Sequence, residues 1–253
     1  MRPEPFAWSL HLDATLPLAL LAVAYALALR RYPATRARTA AFAGGLALLL
    51  ATAVTPLYPL TFHLLSAHLL QNVVLAEWAP ALLVLGVPPA LAADLARFAP
   101  VRALTHPLVA LPLWLVSYFV WHLPPAYDAA LRHPDTLLHL EHASYLVTGL
   151  LLWWPVLQDE PHRLRAQQRS LYVAAAFLLS SPIGLLLALL PDAVYEWYRD
   201  GFAEWEVSAL TDQRAAGVTM AGEQAIVFFA VFSYWFFRFL GDEEQEADDA
   251  VAA

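Results

Sequence analysis

Two short runs in this 253-residue chain put imidazoles where they could hold a metal ion. His139-Leu140-Glu141-His142 spaces two histidines three residues apart, so on a helix both project from one face. Glu141 then either points elsewhere or supports one ring from behind. Trp121-His122-Leu123-Pro124-Pro125 sets a third histidine at the end of the preceding apolar segment, and the turn that follows carries Tyr127 and Asp128. His122, His139 and His142 therefore belong to one helical hairpin, at similar depth. Three imidazoles suit copper or zinc. Cysteine is absent, which excludes thiolate metal sites, disulfides, cysteine nucleophiles and covalent c-type haem attachment. Only Met1 and Met220 offer a thioether.

A second group lies earlier in the chain. At about 1.5 Å of rise per residue, His68 sits roughly 7 Å deeper along a helix than His63. Asn72 follows one turn below His68 on the same face. Glu77 is deeper still. In a membrane a carboxylate at that depth costs about 3 kcal/mol or more unless paired or protonated, so Glu77 must turn inward to a polar partner or be a protonated acid bonded to nearby backbone. Asp212, Gln213, Met220 and Glu223 form a third group near the end of the chain. His11 and His133 fall in loops and read as solvated.

These residues need helices in lipid to position them. The chain is 60% hydrophobic and 14% charged, against roughly 25% charged for a soluble domain. Apolar runs predict seven spans at about 14–29, 39–56, 64–86, 107–123, 139–157, 170–190 and 215–239. All fourteen basic residues are arginines. Ten of them (Arg30, Arg31, Arg36, Arg38, Arg97, Arg102, Arg163, Arg165, Arg169 and Arg238) follow odd-numbered spans, and four (Arg2, Arg132, Arg199 and Arg214) lie at the opposite ends. The positive-inside rule then puts the N-terminus out and the C-terminus in. Seven of the nine histidines fall on the outward side, with only His106 and His162 facing the cytoplasm.

The expected architecture is an all-α, polytopic membrane protein: one seven-helix transmembrane bundle over 1–240 and an acidic tail over 241–253. The net charge of −8 comes largely from that tail, which holds six acids and no base and reads as a disordered cytoplasmic end. The segment 191–214 is too polar to span. Tyr195, Tyr198, Phe202 and Trp205 recur at helical spacing, which fits an amphipathic helix over the outward mouth or an ordinary interfacial loop, with Gly201 interrupting it. No basic stripe interleaved with aromatics exists, so nucleic acid is not an expected partner.

Four motifs in this order resemble the CtaG family of bacterial cytochrome c oxidase assembly proteins. They are HLLSAHLLQNVVLAEWAPALLVLGVP from His63, HPLVALPLWLVSYFVWHLPPAYDAAL from His106, LHLEHASYLVTGLLLWWPVL from Leu138, and TDQRAAGVTM from Thr211. The likeness covers most of 60–240. It implies a multi-spanning protein of the bacterial cytoplasmic membrane that serves maturation of haem-copper oxidases at the copper centre, and is not an enzyme in the turnover sense. It also implies that His68, His122, His139 and His142 are the metal residues; from their positions along the chain, His63, Asn72, Glu77, Asp212 and Met220 are expected in support. Asp212 and Gln213 match the family's polar pair before the last span. Asn72 is a departure: the family commonly has histidine there, and Asn is a poor copper ligand.

The leading expectation is thus an assembly factor that binds or delivers copper to oxidase subunits through an outward histidine cluster. A membrane haem or metal redox protein is the alternative, since His68 with His122 or His142 could ligate haem. A retinal protein is excluded because no lysine is present for the Schiff base. A transporter relaying protons through Glu77 and Glu223 has no inverted repeat to support it. The arginine split makes the topology testable. Reporter fusions after Arg38 and after Arg132 are expected to report cytoplasmic and external locations respectively, and two fusions on the same side would overturn the orientation.

Overall fold

The computed structural model describes residues 3–8, 10–202 and 205–252, with side chains to 245; Met1 and Arg2 lie outside the described residues. Among these residues the fold is helical. Helices stand where all seven spans are expected: α1 (Leu12–Ala28), α2 (Arg36–Val54), a continuous rod over Leu65–Gly86, α8 (Pro107–His122), α10 (His139–Leu157), α11 (Ala166–Leu189) and α12 (Ala209–Ala252). Four of them, α2, the 65–86 rod, α11 and α12, are long and apolar enough to cross a membrane. A fifth is added if α8 and α9 (Pro124–Arg132) count as one broken span. Short helices α3 (Leu57–Leu60), α6 (Pro89–Leu95) and α7 (Ala99–Leu104) fill the connections. α12 runs on through the acidic segment to Ala252, whose Glu, Gln and Ala residues are good helix formers.

The 65–86 rod is the axis of the bundle. Within its apolar window 72% of residues are buried, against 22–39% for the other three candidate spans. It is built from α4 (Leu65–Val73), a π-helical turn (Val74–Trp78) and α5 (Ala79–Gly86). The π turn has a cause in the sequence. Pro80 has no N–H to give to the carbonyl of Ala76 four residues earlier, so the regular ladder must shift there. The freed carbonyl is where α10 comes closest. A side chain added at Gly149 would strike Ala76 O, and it would lie 2.7 Å from Pro80 Cγ.

α10 and the 65–86 rod run parallel through this contact. Glu141 meets Asn72 near one end, Gly149 meets Ala76 in the middle, and Gln158 Nε2 donates to Val84 O (2.7 Å) near the other. α11 and α12 pack as a long hairpin, and α12 also lies against α4.

The two ends of the bundle differ chemically. At one end arginines satisfy the terminal carbonyls of the helices: Arg38 donates to Leu85 O and Val87 O (both 2.8 Å), and Arg169 to Val156 O (3.0 Å) while pairing with Asp159. Tyr32 donates to Asp94 Oδ2 at 2.5 Å, and this bond, with Arg97 and Arg31 nearby, holds the Asp94 carboxyl below the usual range. His106 and His162 pack together at this end (4.8 Å). The remaining histidines gather at the other end.

The turn between α8 and α10 is a structured element. Leu123-Pro124-Pro125 bends the chain by 74°, and α9 and a second π turn (Pro134–Leu138) fold back over the bundle. The segment 191–214 is not the amphipathic helix its aromatic spacing suggests. Among the described residues before α12 begins at Ala209, it forms a 3-10 turn (Glu196–Tyr198) and, after Gly201 at φ 66°, a bridge between Phe202 and Val207. Tyr195, Tyr198 and Phe202 point into the protein because their neighbours offer buried polar partners: Tyr195 donates to His122 O (3.1 Å), and Asp128 accepts from the backbone of Glu196 and Trp197 (3.1 and 2.9 Å). Trp205 alone of the four stays largely exposed.

The Ala76–Gly149 contact should tolerate no side chain. Gly149→Leu is expected to destabilise the fold by about 1–3 kcal/mol and to lower Tm in detergent. Gly222→Ala, with nothing within 4 Å of the added methyl, should leave Tm unchanged.

Candidate metal centre

Four of the residues singled out in the sequence converge beneath the loop that covers the histidine-rich end. Glu141, in the first turn of α10, is fully buried. Its Oε1 accepts from Asn72 Nδ2 (2.9 Å) and lies 3.5 Å from His68 Nε2. The rings of His68 and His142 stand edge to face with centroids 6.4 Å apart. Asn72 therefore anchors the carboxylate.

The orientation of His68 follows from its other nitrogen. Tyr198 donates its hydroxyl hydrogen to Thr61 O, so its oxygen accepts from His68 Nδ1–H (3.3 Å). Nε2 of His68, completely buried, then faces the Glu141 carboxylate with no hydrogen bond of its own. His122 is wired the same way. Its Nδ1–H donates to Tyr118 O (2.7 Å), and its Nε2 is buried without a partner, as is Nε2 of His142. Fixing one ring nitrogen as a donor so that the other presents a lone pair is how proteins orient imidazole ligands. Tyr127 lies between the His68 and His122 rings (4.7 and 6.4 Å).

The hairpin triad expected from sequence does not gather at one point. His139 turns away from His142 toward α1, where its Nε2 lies 3.0 Å from Asp13 Oδ2, and both groups are about half exposed. His63 binds Pro3 O (2.7 Å) and packs on Phe202. Asp212 caps α4, accepting from Leu65 N (2.5 Å), Ser66 N (3.2 Å) and Ser66 Oγ (2.5 Å). Gln213 accepts from Val194 N (2.8 Å). Met220 is buried and shares a small cavity with Asn72, Glu77 and His122. Glu77 faces inward on the π turn, where Gln224 Nε2 bonds both its Oε1 (2.9 Å) and Tyr118 OH (3.1 Å). Glu223 accepts from Trp78 Nε1 (2.6 Å). Among the described residues no three His, Asp or Glu side chains are disposed to hold one metal ion together.

Sequence spacing alone missed the role of Tyr198 and the partnership of Glu77 with Gln224. Both join elements more than 100 residues apart. Glu141 was legible only as a choice between two orientations. Its hydrogen-bond partner is Asn72 on another helix, with the His68 ring 3.5 Å away.

A bundle of apolar helices around buried imidazoles and carboxylates defines a membrane protein built to present polar chemistry inside lipid. The chain belongs to the family described as cytochrome c oxidase caa3 assembly factor (Caa3_CtaG), which matches residues 22–242. Comparison with curated proteins and with solved structures gave no match. The family assignment agrees with the resemblance carried by the four motifs.

The Glu77–Gln224 pair generates a simple test. Glu77→Gln preserves a hydrogen-bonding partner and is expected to cost less than about 1 kcal/mol, whereas Glu77→Leu takes away one of the two acceptors of Gln224 Nε2 and should cost about 1–3 kcal/mol. Equal denaturation midpoints for the two variants in detergent would contradict the pairing.

Proposed function

We propose that this assembly factor takes up copper at the histidine-rich end and hands it to a cytochrome c oxidase subunit, without turning over a substrate. In this reading the chain crosses the bacterial cytoplasmic membrane seven times, with the N-terminus outside and the arginine-rich end in the cytoplasm. Copper is the cargo. His68 and His142 hold it, Glu141 balances its charge, and His122 stands by as a further donor. His139 lies on the approach to them.

The observation that carries this reading is the wiring of His68, whose bare Nε2 is aimed at a buried carboxylate. A neutral imidazole lone pair facing a carboxylate is repulsive, so the pair calls for a cation between or beside them: a proton or a metal. A centroid separation of 6.4 Å is close to the span of two imidazoles that share one ion at about 2 Å from each nitrogen. Two nitrogen donors suit cuprous copper, a filled-shell ion content with low coordination. A weakly held, two-donor ion is also an ion that can be passed on.

Metal analysis tests the proposal. Purified protein loaded with cuprous ion and desalted should retain about one copper per chain. His68→Ala and His142→Ala should retain almost none while keeping their helical circular dichroism, and His106→Ala should match the wild type. Full copper in the His68→Ala/His142→Ala double variant, or normal copper in the oxidase of cells carrying it, would sink the proposal. A Soret band in the protein as isolated would instead support the haem alternative.

A further inference from the structure

A cavity of about 410 Å³ opens between α1, α2 and α10, apart from the His68–Glu141 contact, yet His142 lines it. Most of its wall is apolar, with Leu18, Leu49, Leu75 and Leu146. Two polar atoms on that wall lack partners. Gln71 is 2% exposed, and its Nε2 donates to Thr52 O (3.0 Å) while its Oε1 is buried with no hydrogen bond; His142 Nε2 is likewise buried and unpaired. Orphaned acceptors in an apolar wall are rare and ask for an explanation, and here the adjoining space is large enough to admit a hydrated ion.

The rim of the same cavity carries Asp13 and His139. His139 Nδ1 donates to Asp135 O (3.2 Å), so the neutral ring presents its Nε2 lone pair to the Asp13 carboxylate at 3.0 Å. The pair joins α1 to α10 across the mouth, and both partners are about half exposed. His139 and His142 are three residues apart on one helix face, so a step of about 4.5 Å along the axis leads from the exposed rim to the buried nitrogen.

We propose that this cavity is the vestibule through which copper reaches the His68–His142 pair, with Asp13 and His139 as its capture point. The inference rests on the copper reading above. An incoming cuprous ion meets the Asp13 carboxylate and His139 Nε2 first, and their charge and lone pair draw it out of bulk solvent. It then moves past Gln71 to His142.

Loading kinetics separate a route from a resting site. Cuprous ion supplied as its bicinchoninate complex loses its colour on transfer to the protein, so both the rate and the final copper per chain can be read. Three variants are compared with the full-length wild type: Asp13→Asn, Asp13→Asn/His139→Gln, and Ala143→Trp, which fills the cavity from its wall. All three are expected to reach wild-type copper content while loading about tenfold more slowly, the scale on which a charged mouth changes association rates. Wild-type loading rates in all three variants would overturn the vestibule and leave the copper reading standing. Loss of final copper in Asp13→Asn would also overturn it, by making Asp13 part of the resting site. A wild type that takes up no copper would overturn both. Circular dichroism identifies an Ala143→Trp chain that fails to fold, in which case the two polar variants decide the matter.

Discussion

The arrangement of this protein turns on a carboxylate sealed among apolar helices. Glu141 is sealed from bulk solvent, so its neighbours must supply what water would, and each of them in turn needs to be held. Asn72 gives it an N–H, and His68 sets a ring nitrogen beside it. The His68 ring is oriented by Tyr198, and Tyr198 by Thr61. The covering loop is fixed by the same need, because Tyr195 and the backbone of Glu196 and Trp197 find their partners on α8 and α9. A single buried charge thus dictates why the loop over this end is folded inward. An aromatic belt facing lipid would have left Tyr198 unable to hold His68.

Much of the helical frame is legible in the sequence, because apolar run length is a direct consequence of bilayer thickness. Helices fall at each of the seven expected spans, though only four or five are long and apolar enough to qualify as crossings by those criteria alone. The shortfall has a physical source. α10 carries His139, Glu141 and His142 in its first turn, and α1 is only 17 residues long.

The candidate site is legible in residue type and less so in partnership. His68, His142, Asn72 and Glu141 stand out in the sequence as polar groups on apolar helices, and the structure brings those four together. Helical spacing places His139 beside His142, yet it cannot say which neighbouring helix each ring turns toward. Asp13, on α1, draws His139 outward. Of the two forms open to the covering loop, the structure has the loop and not the helix: the spacing of Tyr195, Tyr198, Phe202 and Trp205 fits a helix, but Gly201 at positive φ ends it and the hydroxyls of Tyr195 and Tyr198 find buried acceptors.

The carbonyl that Pro80 leaves free has one more consequence. Ala76 lies eight residues after His68, and Gly149 lies eight residues after Glu141. Because the two helices run parallel, the Ala76–Gly149 contact holds His68 and Glu141 at one level, as a pin through two rulers aligns their marks. A single residue inserted or deleted in either eight-residue interval would turn its polar group about 100° around the helix axis and shift it about 1.5 Å along it. The lengths of these two intervals are therefore tied to each other, and a change in one is tolerable only with a matching change in the other.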